Sequence, residues 1–138
     1  MSLRNDLAGV LARDPRYTIH AYAFVFEALE FTKGLKKRSQ GRVRGRTRPS
    51  ASARHVSGRD LCEGARRLAL DHYGLMALTV LKLWGIRSTA DLGEIVYNLI
   101  ASGDLEKTPT DSRSDFQNVF DFEHALRRDF VLPLDEVA

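Results

Sequence analysis

A run of basic residues without a single acid is the strongest chemical feature of the sequence. From Lys33 to Arg54 the chain carries nine bases and no acidic residue. Arginine side chains hold phosphate oxygens through paired hydrogen bonds, and arginine-rich segments can fold onto RNA or DNA on contact. The residues predicted to contact nucleic-acid phosphates are Lys36, Lys37, Arg38, Arg42, Arg44, Arg46, Arg48 and Arg54.

The same segment also indicates how it would bind. No aromatic residue lies among its arginines, so the sequence does not support stacking of side chains on bases. We therefore expect sequence-tolerant contact with the backbone. RNA is slightly preferred over DNA, because a basic arm without a base-reading helix suits an RNA-rich assembly. Two alternatives stay open: an acidic protein partner, or a solvated loop with no dedicated ligand.

Residues that could hold a metal ion or act as nucleophiles are scattered. No two of the four histidines have the spacing of zinc ligands, and the single cysteine cannot form a Cys-x-x-Cys pair. The histidines are His20, His55, His72 and His124. Cys62 and His72 fall on the apolar stripe of a predicted helix, which favours a buried thiol and a core histidine. Ser57 is explained as a helix cap.

Two pairs of carboxylates, Asp91 with Glu94 and Asp111 with Asp115, have the spacing to act as acid and base. Asp91 is better explained by its position in the first turn of a predicted helix, where it complements the helix dipole. Asp111 and Asp115 fall in a polar turn with no cleft implied. The sequence therefore predicts a protein that binds without catalysis and that uses no metal, cofactor or small-molecule substrate.

The overall composition fits one globular domain. The chain has 138 residues, of which 43% are hydrophobic and 28% charged. No apolar run approaches the roughly 18 residues that span a bilayer, and residues 1–6 lack the apolar core of a secretory signal. A single cysteine excludes an internal disulfide. We expect a cytoplasmic protein without membrane contact.

The net charge of +3 conceals two oppositely charged parts. Setting aside the nine bases from Lys33 to Arg54 leaves 12 basic against 18 acidic residues, a balance of −6. An acidic body thus carries a basic segment, a distribution that favours polyanion binding by the segment alone.

The elements that would position these residues are mostly helices. Asp14 and Pro15 are typical of a helix or turn start. A helix is predicted over residues 19–33, ended by Gly34, and its apolar side chains surround most of its circumference, as in a central buried helix. Residues 36–56 are polar and without periodicity, which predicts a long disordered loop.

A second helix follows the basic segment. Ser57 and Asp60 predict a capping box, and an apolar stripe runs over residues 61–73. Pairing at i, i+4 spacing is expected on the opposite face, among Arg59, Glu63 and Arg67. A short helix over residues 75–84 comes next, and a helix capped by Ser88 or Thr89 runs to residue 102.

The remainder predicts two strands, over residues 105–108 and 116–122, and a last helix over residues 123–130. This order of elements resembles a winged-helix domain, in which the hairpin would be the wing. The fold class predicted is therefore mainly α with a small β-hairpin, a winged-helix-like single domain with a long disordered basic loop. Its segments are N-terminal helices at 1–35, the loop at 36–56, the winged-helix part at 57–130 and a tail at 131–138.

The resemblance also gives the alternative function. A third helix that reads DNA exposes basic or amide side chains, whereas here two carboxylates would repel phosphates. Such an acidic face predicts an adaptor that docks a protein partner, with the Phe-rich hairpin beside it. The docking residues of this alternative are Asp91, Glu94, Tyr97 and Asn98.

A second resemblance covers most of the chain outside the basic loop. Residues 11–17 (LARDPRY), 24–29 (FVFEAL), 55–58 (HVSG), 84–86 (WGI), 93–99 (GEIVYNL) and 115–122 resemble a small protein family of planctomycete and verrucomicrobial bacteria. The family has no assigned activity, so the resemblance implies a bacterial origin and no chemistry. The arginine-rich loop is not part of the shared pattern.

Overall fold

The computed structural model describes residues 7–41, 56–105 and 112–128. Within these ranges the chain is helical and contains no β-strand. The α-helices are α1 (Leu7–Arg13), α2 (Ile19–Gly41), α3 (Gly58–Tyr73), α4 (Ala77–Leu83) and α5 (Thr89–Ser102). Shorter helical turns are the 3-10 helices Gly74–Met76 and Arg113–Phe116 and the π-helical turn His124–Arg128.

Helix α2 lies at the centre of the fold, as its apolar circumference predicts. Tyr22, Val25 and Ala28 are almost completely inaccessible to solvent. Helix α3 packs antiparallel along α2. Gly64 of α3 makes this approach possible, because a Cβ at this position would lie 1.8 Å from the Thr32 hydroxyl oxygen. The close packing fixes the register of the two helices.

The predicted end of α2 at Gly34 is wrong, because the helix continues to Gly41. Residues 36–41 are therefore helical, although they were expected to begin the disordered loop. A glycine inside a helix costs about 1 kcal/mol relative to alanine, a penalty that packing against α3 can offset. A salt bridge of 3.0 Å between Lys36 and Asp60 joins the two helices beyond this glycine. The rest of the predicted loop, residues 42–55, lies outside the described residues.

The sequence signals at the ends of α3 and α5 are confirmed. In the α3 capping box the Asp60 amide donates to the Ser57 hydroxyl, and the Ser57 amide donates to the Asp60 carboxylate, both at 3.1 Å. Ser88 caps α5, where its hydroxyl accepts a hydrogen bond from the Asp91 amide. Gly103 ends α5 in a left-handed conformation, with φ of 87°.

The predicted β-hairpin is wrong, and with it the winged-helix-like fold class. Of its second strand, predicted over residues 116–122, Phe116 ends the 3-10 helix Arg113–Phe116, residues 117–120 form turns and bends, and a helical segment begins at Phe122. Phe116 and Phe122 are buried in the core, so their alternation reflects burial rather than a strand. The Thr89 hydroxyl donates to the Phe116 carbonyl at 2.7 Å, which binds this segment to α5 instead of to a partner strand.

Part of the remaining predictions falls outside the described residues. Leu105 lies in a turn after α5, and residues 106–108 of the first predicted strand are not among those described. The last helix was predicted over residues 123–130, and the described chain is helical from Phe122 to Arg128. The tail at 131–138 is not described. None of the helices in the described ranges has the length and apolar character to cross a membrane.

Candidate functional site

The polar face of α5 is covered by the segment that joins α1 to α2. The Tyr17 hydroxyl donates to the Asp91 carboxylate at 2.5 Å, and Tyr17 is buried. The other Asp91 oxygen accepts from the Arg87 amide at 2.8 Å. Burial, and then the bond to Asp91, raise the pKa of Tyr17, which therefore remains a protonated donor. Asp91 thus holds the connecting segment as well as the start of its own helix.

Glu94, one turn further along α5, lies between two arginines. Arg16 forms a two-pronged bond with Asp14, at 2.7 and 2.6 Å, and its guanidinium also reaches Glu94 at 3.3 Å. Arg113 binds the second Glu94 oxygen at 2.8 Å. The Arg113 guanidinium also lies over the ring of Tyr97, 4.9 Å from its centroid. The charge of Glu94 is therefore compensated from within the chain.

Asn98 completes this network from the next turn of α5. Its amide nitrogen donates to the Asp14 carboxylate at 2.8 Å and to the Tyr22 hydroxyl at 3.1 Å. The bonds from Arg16 and Asn98 hold the pKa of Asp14 well below its usual range, against the opposing effect of burial. Asp14 therefore stays ionised and anchors both partners.

The structure thus brings together the four residues predicted to dock a protein, but their side chains are used inside the molecule. Asp91, Glu94 and Asn98 bind the connecting segment, and Tyr97 lies beneath Arg113. Asp14 and Pro15 were predicted to start a helix or a turn, and no contact of residues 14–17 with α5 was predicted. Their arrangement of one acid, one base and one tyrosine was the available sign of a contact with α5.

The opposite end of α2 carries the predicted nucleic-acid contacts. Lys36 binds Asp60 of α3 at 3.0 Å, and Lys33 lies 3.5 Å from Glu30 one turn earlier in α2. Burial alone would raise the pKa of Asp60, but hydrogen bonds from Lys36 and Ser57 outweigh it and lower the pKa. Lys36 therefore ties the two helices together in addition to contributing charge.

The other predicted contacts divide into two groups. Lys37 and Arg38 belong to the last turns of α2, where the negative end of the helix dipole favours basic residues. The second group lies outside the described residues and consists of Arg42, Arg44, Arg46, Arg48 and Arg54.

The exposed face of α3 differs from its prediction. Glu63 binds Arg66 at 2.5 Å instead of pairing with Arg59 or Arg67. Arg59 is exposed, and no acid of the described chain lies within 4.0 Å of its guanidinium. Sequence reasoning did not include Arg59 in the basic segment, although it precedes the first acid after Glu30.

The candidate catalytic residues show no shared site. Cys62 is fully buried, as predicted, and burial raises the pKa of its thiol to about 12, which leaves it protonated and unreactive. The prediction of a core position for His72 is wrong: its side chain is exposed, 3.8 Å from Glu27. Across residues 7–41, 56–105 and 112–128, no three His, Cys, Asp or Glu side chains cluster as metal ligands would.

A cleft of about 590 Å³ lies between α4, the start of α5 and residues 118–123. Lys82 and Arg87 line it on one side, and Asp121 and Glu123 on the other. Lys82 lies 4.0 Å from Glu123 across the cleft. Because opposite charges are balanced there, the cleft favours neither an anionic nor a cationic ligand.

Comparison of the chain with protein-family models, with curated proteins and with solved structures finds no match. Its function must therefore be argued from its own residues.

Proposed function

We propose that this protein binds the phosphate backbone of nucleic acid in the cytoplasm, RNA in preference to DNA, through the basic segment from Lys33 to Arg54. It neither reads base sequence nor catalyses a reaction. The observation that carries the proposal is the charge distribution, nine bases without an acid on a remainder of −6. Such a segment releases counterions when it neutralises phosphates, which supplies most of non-specific affinity.

Two features of the described residues support this proposal. Three acids of the body, Asp60, Asp91 and Glu94, are already bound by side chains of the described chain. Moreover, α2 begins the basic segment on a rigid element, since Lys37 and Arg38 both belong to the helix. A contact fixed on a helix loses less conformational freedom on binding than one on an isolated loop.

The engaged state of the α5 face argues against the adaptor alternative. A partner that docks on Asp91 or Glu94 would have to displace Tyr17, Arg16 or Arg113. Its gain would be offset by the loss of bonds that the protein already makes.

The test is a salt titration of binding to a mixed-sequence RNA and to DNA. With one phosphate contact from each of the seven bases other than Lys33 and Lys36, log K should fall with log salt at a slope of about 5 to 6. The binding-deficient variant replaces five arginines with glutamine, at Arg42, Arg44, Arg46, Arg48 and Arg54. It keeps Lys36, because Lys36 joins α2 to α3.

This variant should reduce the slope by about 4 and weaken binding more than 100-fold at low salt. A control with the same loss of charge carries glutamine at Arg4, Arg67, Lys82, Arg87 and Lys107. It should bind within a few-fold of the unchanged protein. Absence of binding to either nucleic acid at low salt would refute the proposal, as would an equal loss in the control.

A further inference from the structure

The cleft between α4, the start of α5 and residues 118–123 has the size of a small-molecule site. Its volume is about 590 Å³, and such sites commonly enclose about 300–1,000 Å³. The residues that line it all belong to the described ranges. Binding of nucleic acid by the basic segment gives this cleft no role.

The two sides of the cleft carry opposite charges. Lys82 of α4 and Arg87 of the following turn lie on one side, and Asp121 and Glu123 lie on the other. The first turn of α5 also lines the cleft, and the positive end of the helix dipole favours an anion beside Arg87. A ligand with one charge would be attracted by one side and repelled by the other. A zwitterion would be attracted by both.

Two of these four charged groups form no ion pair within the described part of the chain. No carboxylate oxygen in that part lies within 4.0 Å of the Arg87 guanidinium. Asp121 accepts a hydrogen bond from the His124 amide at 2.9 Å, and no cationic nitrogen in the same ranges lies within 4.0 Å of it. A carboxylate accepts several hydrogen bonds, so Asp121 can bind a ligand and keep this one.

The spacing of the charges limits the ligand. The Lys82 ammonium lies 4.0 Å from the Glu123 carboxylate across the cleft, which is too long for a direct hydrogen bond. A ligand that contacts both groups must therefore carry its own opposite charges close together. In an α-amino acid the ammonium and carboxylate groups share one carbon, whereas a peptide separates them by at least one peptide unit. The spacing favours the amino acid.

The cleft also offers apolar contacts. Leu78 is buried beside it, and the rings of Phe120 and Phe122 stack with centroids 5.9 Å apart. Phe120 remains partly exposed, so its ring can contact a ligand. Asn118, another lining residue, has a φ of 48°, a conformation that is uncommon outside glycine and recurs at ligand sites.

We propose that this cleft binds a free α-amino acid with a large apolar side chain. Lys82 and Arg87 bind its carboxylate, Asp121 and Glu123 bind its ammonium group, and its side chain packs against Phe120. This site is separate from the basic segment, so binding of the amino acid does not depend on the binding of nucleic acid.

An NMR titration of the full chain with L-phenylalanine tests the proposal. The amide signals of Ala90 and Asn118 should shift saturably, with a dissociation constant on the order of 1 mM, because Lys82 and Glu123 are half exposed. N-acetylphenylalanine lacks the ammonium group and phenylalaninamide lacks the carboxylate, so each should bind about 5-fold more weakly or worse. Glycine has no apolar side chain and should bind about 10-fold more weakly.

Paired variants locate the site. Arg87→Gln and Asp121→Asn should each weaken phenylalanine binding about 3- to 10-fold. Their controls are Arg67→Gln and Asp71→Asn, which remove exposed charges of the same signs from α3 and should change the affinity less than about 2-fold. Asp121→Asn keeps an oxygen that can accept from the His124 amide, so this variant should fold. Thermal unfolding without ligand checks the folding of each variant.

Three results would each show the proposal to be wrong. The first is the absence of a saturable shift up to about 20 mM phenylalanine. The second is equal affinity for phenylalanine and for either derivative that lacks one charge. The third is equal weakening by the cleft variants and by their controls. None of these results bears on the binding of nucleic acid, which the salt titration tests by itself.

Discussion

Charged side chains are paired differently at the start and at the end of α2. At the start, Asp14, Asp91 and Glu94 are surrounded by donors from the same chain, including Arg16 and Arg113. At the end, nine bases lie in a stretch of sequence without an acid, and two of them, Lys36 and Lys33, form ion pairs with Asp60 and Glu30. Charge at the start serves the fold, whereas we propose that charge at the end serves a ligand. An acidic face in a sequence is therefore no sign of docking until its internal partners are known.

The largest expected loss of stability comes from a substitution that disturbs the contact between the connecting segment, residues 14–18, and the turn before α5. A Cβ at Gly85 would lie 2.0 Å from the Arg16 carbonyl oxygen, and φ there is 97°. Gly85→Ala should lower the free energy of unfolding by about 3 kcal/mol or more, because it adds a backbone collision to the cost of a left-handed alanine. Chemical denaturation measures this loss.

Gly103→Ala is the matched control for the conformational cost alone. Gly103 also has a positive φ, 87°, but no atom lies within 4 Å of a Cβ there. Its loss should be about 1–2 kcal/mol. Equal losses for the two variants would show that the connecting segment is not held tightly against this turn.

The next effect concerns the bond between Tyr17 and Asp91. Tyr17→Phe removes a buried donor to a carboxylate and should cost about 1.5–3 kcal/mol of unfolding free energy. Tyr22→Phe removes only an acceptor of Asn98, which still has Asp14, and should cost about 1 kcal/mol or less. If Tyr17→Phe is as stable as the unchanged protein, the α5 face is less engaged than its geometry indicates.

The features of these two regions that could be predicted from the sequence are those that depend on residues close together in the chain. The capping box of Ser57 and the burial of Cys62 were predicted correctly, because caps and apolar stripes depend on neighbours in sequence. The bond between Tyr17 and Asp91 joins residues 74 positions apart, so no local pattern contained it. The central position of α2 was also predicted from its apolar circumference.

Two errors have physical reasons. A glycine was taken to end α2, but Gly34 lies in a helix that α3 supports from the side, and such packing overrides intrinsic propensity. The alternation of Phe116, Phe120 and Phe122 was taken for a strand. Phe116 instead packs beside Gly93, where a Cβ would lie 2.7 Å from its ring, so these side chains fill space against α5. The basic segment was recognised from charge alone, which needs no fold.

A smaller effect depends on pH. Because its bonds hold the pKa of Asp14 below the ordinary value of 3.8, Asp14 contributes stability that is present above that pH and is lost as the pH falls further. Asp14→Asn should therefore be less stable than the unchanged protein at pH 7, by about 1 kcal/mol after allowance for screening by solvent. The difference should shrink as the pH falls below 3.8.

Unfolding at several pH values checks this dependence, and Asp71→Asn is its control. Asp71 is an exposed acid of α3 without a bonded partner among the described residues. Its substitution should leave the stability nearly unchanged at every pH. A constant difference for Asp14→Asn from pH 7 to pH 2 would contradict the role of Asp14 as an ionised anchor.

The smallest expected effect on stability gives the sharpest contrast between the two regions. Glutamine at Arg42, Arg44, Arg46, Arg48 and Arg54 should leave the unfolding free energy nearly unchanged, while it weakens nucleic-acid binding. Arg16→Gln removes the bonds to Asp14 and Glu94 and should lower stability while binding is unchanged. Measuring unfolding and binding on both variants decides whether the two functions of charge are separate. If the five substitutions lower stability as Arg16→Gln does, their charge serves the fold, and the contrast between the start and the end of α2 does not hold.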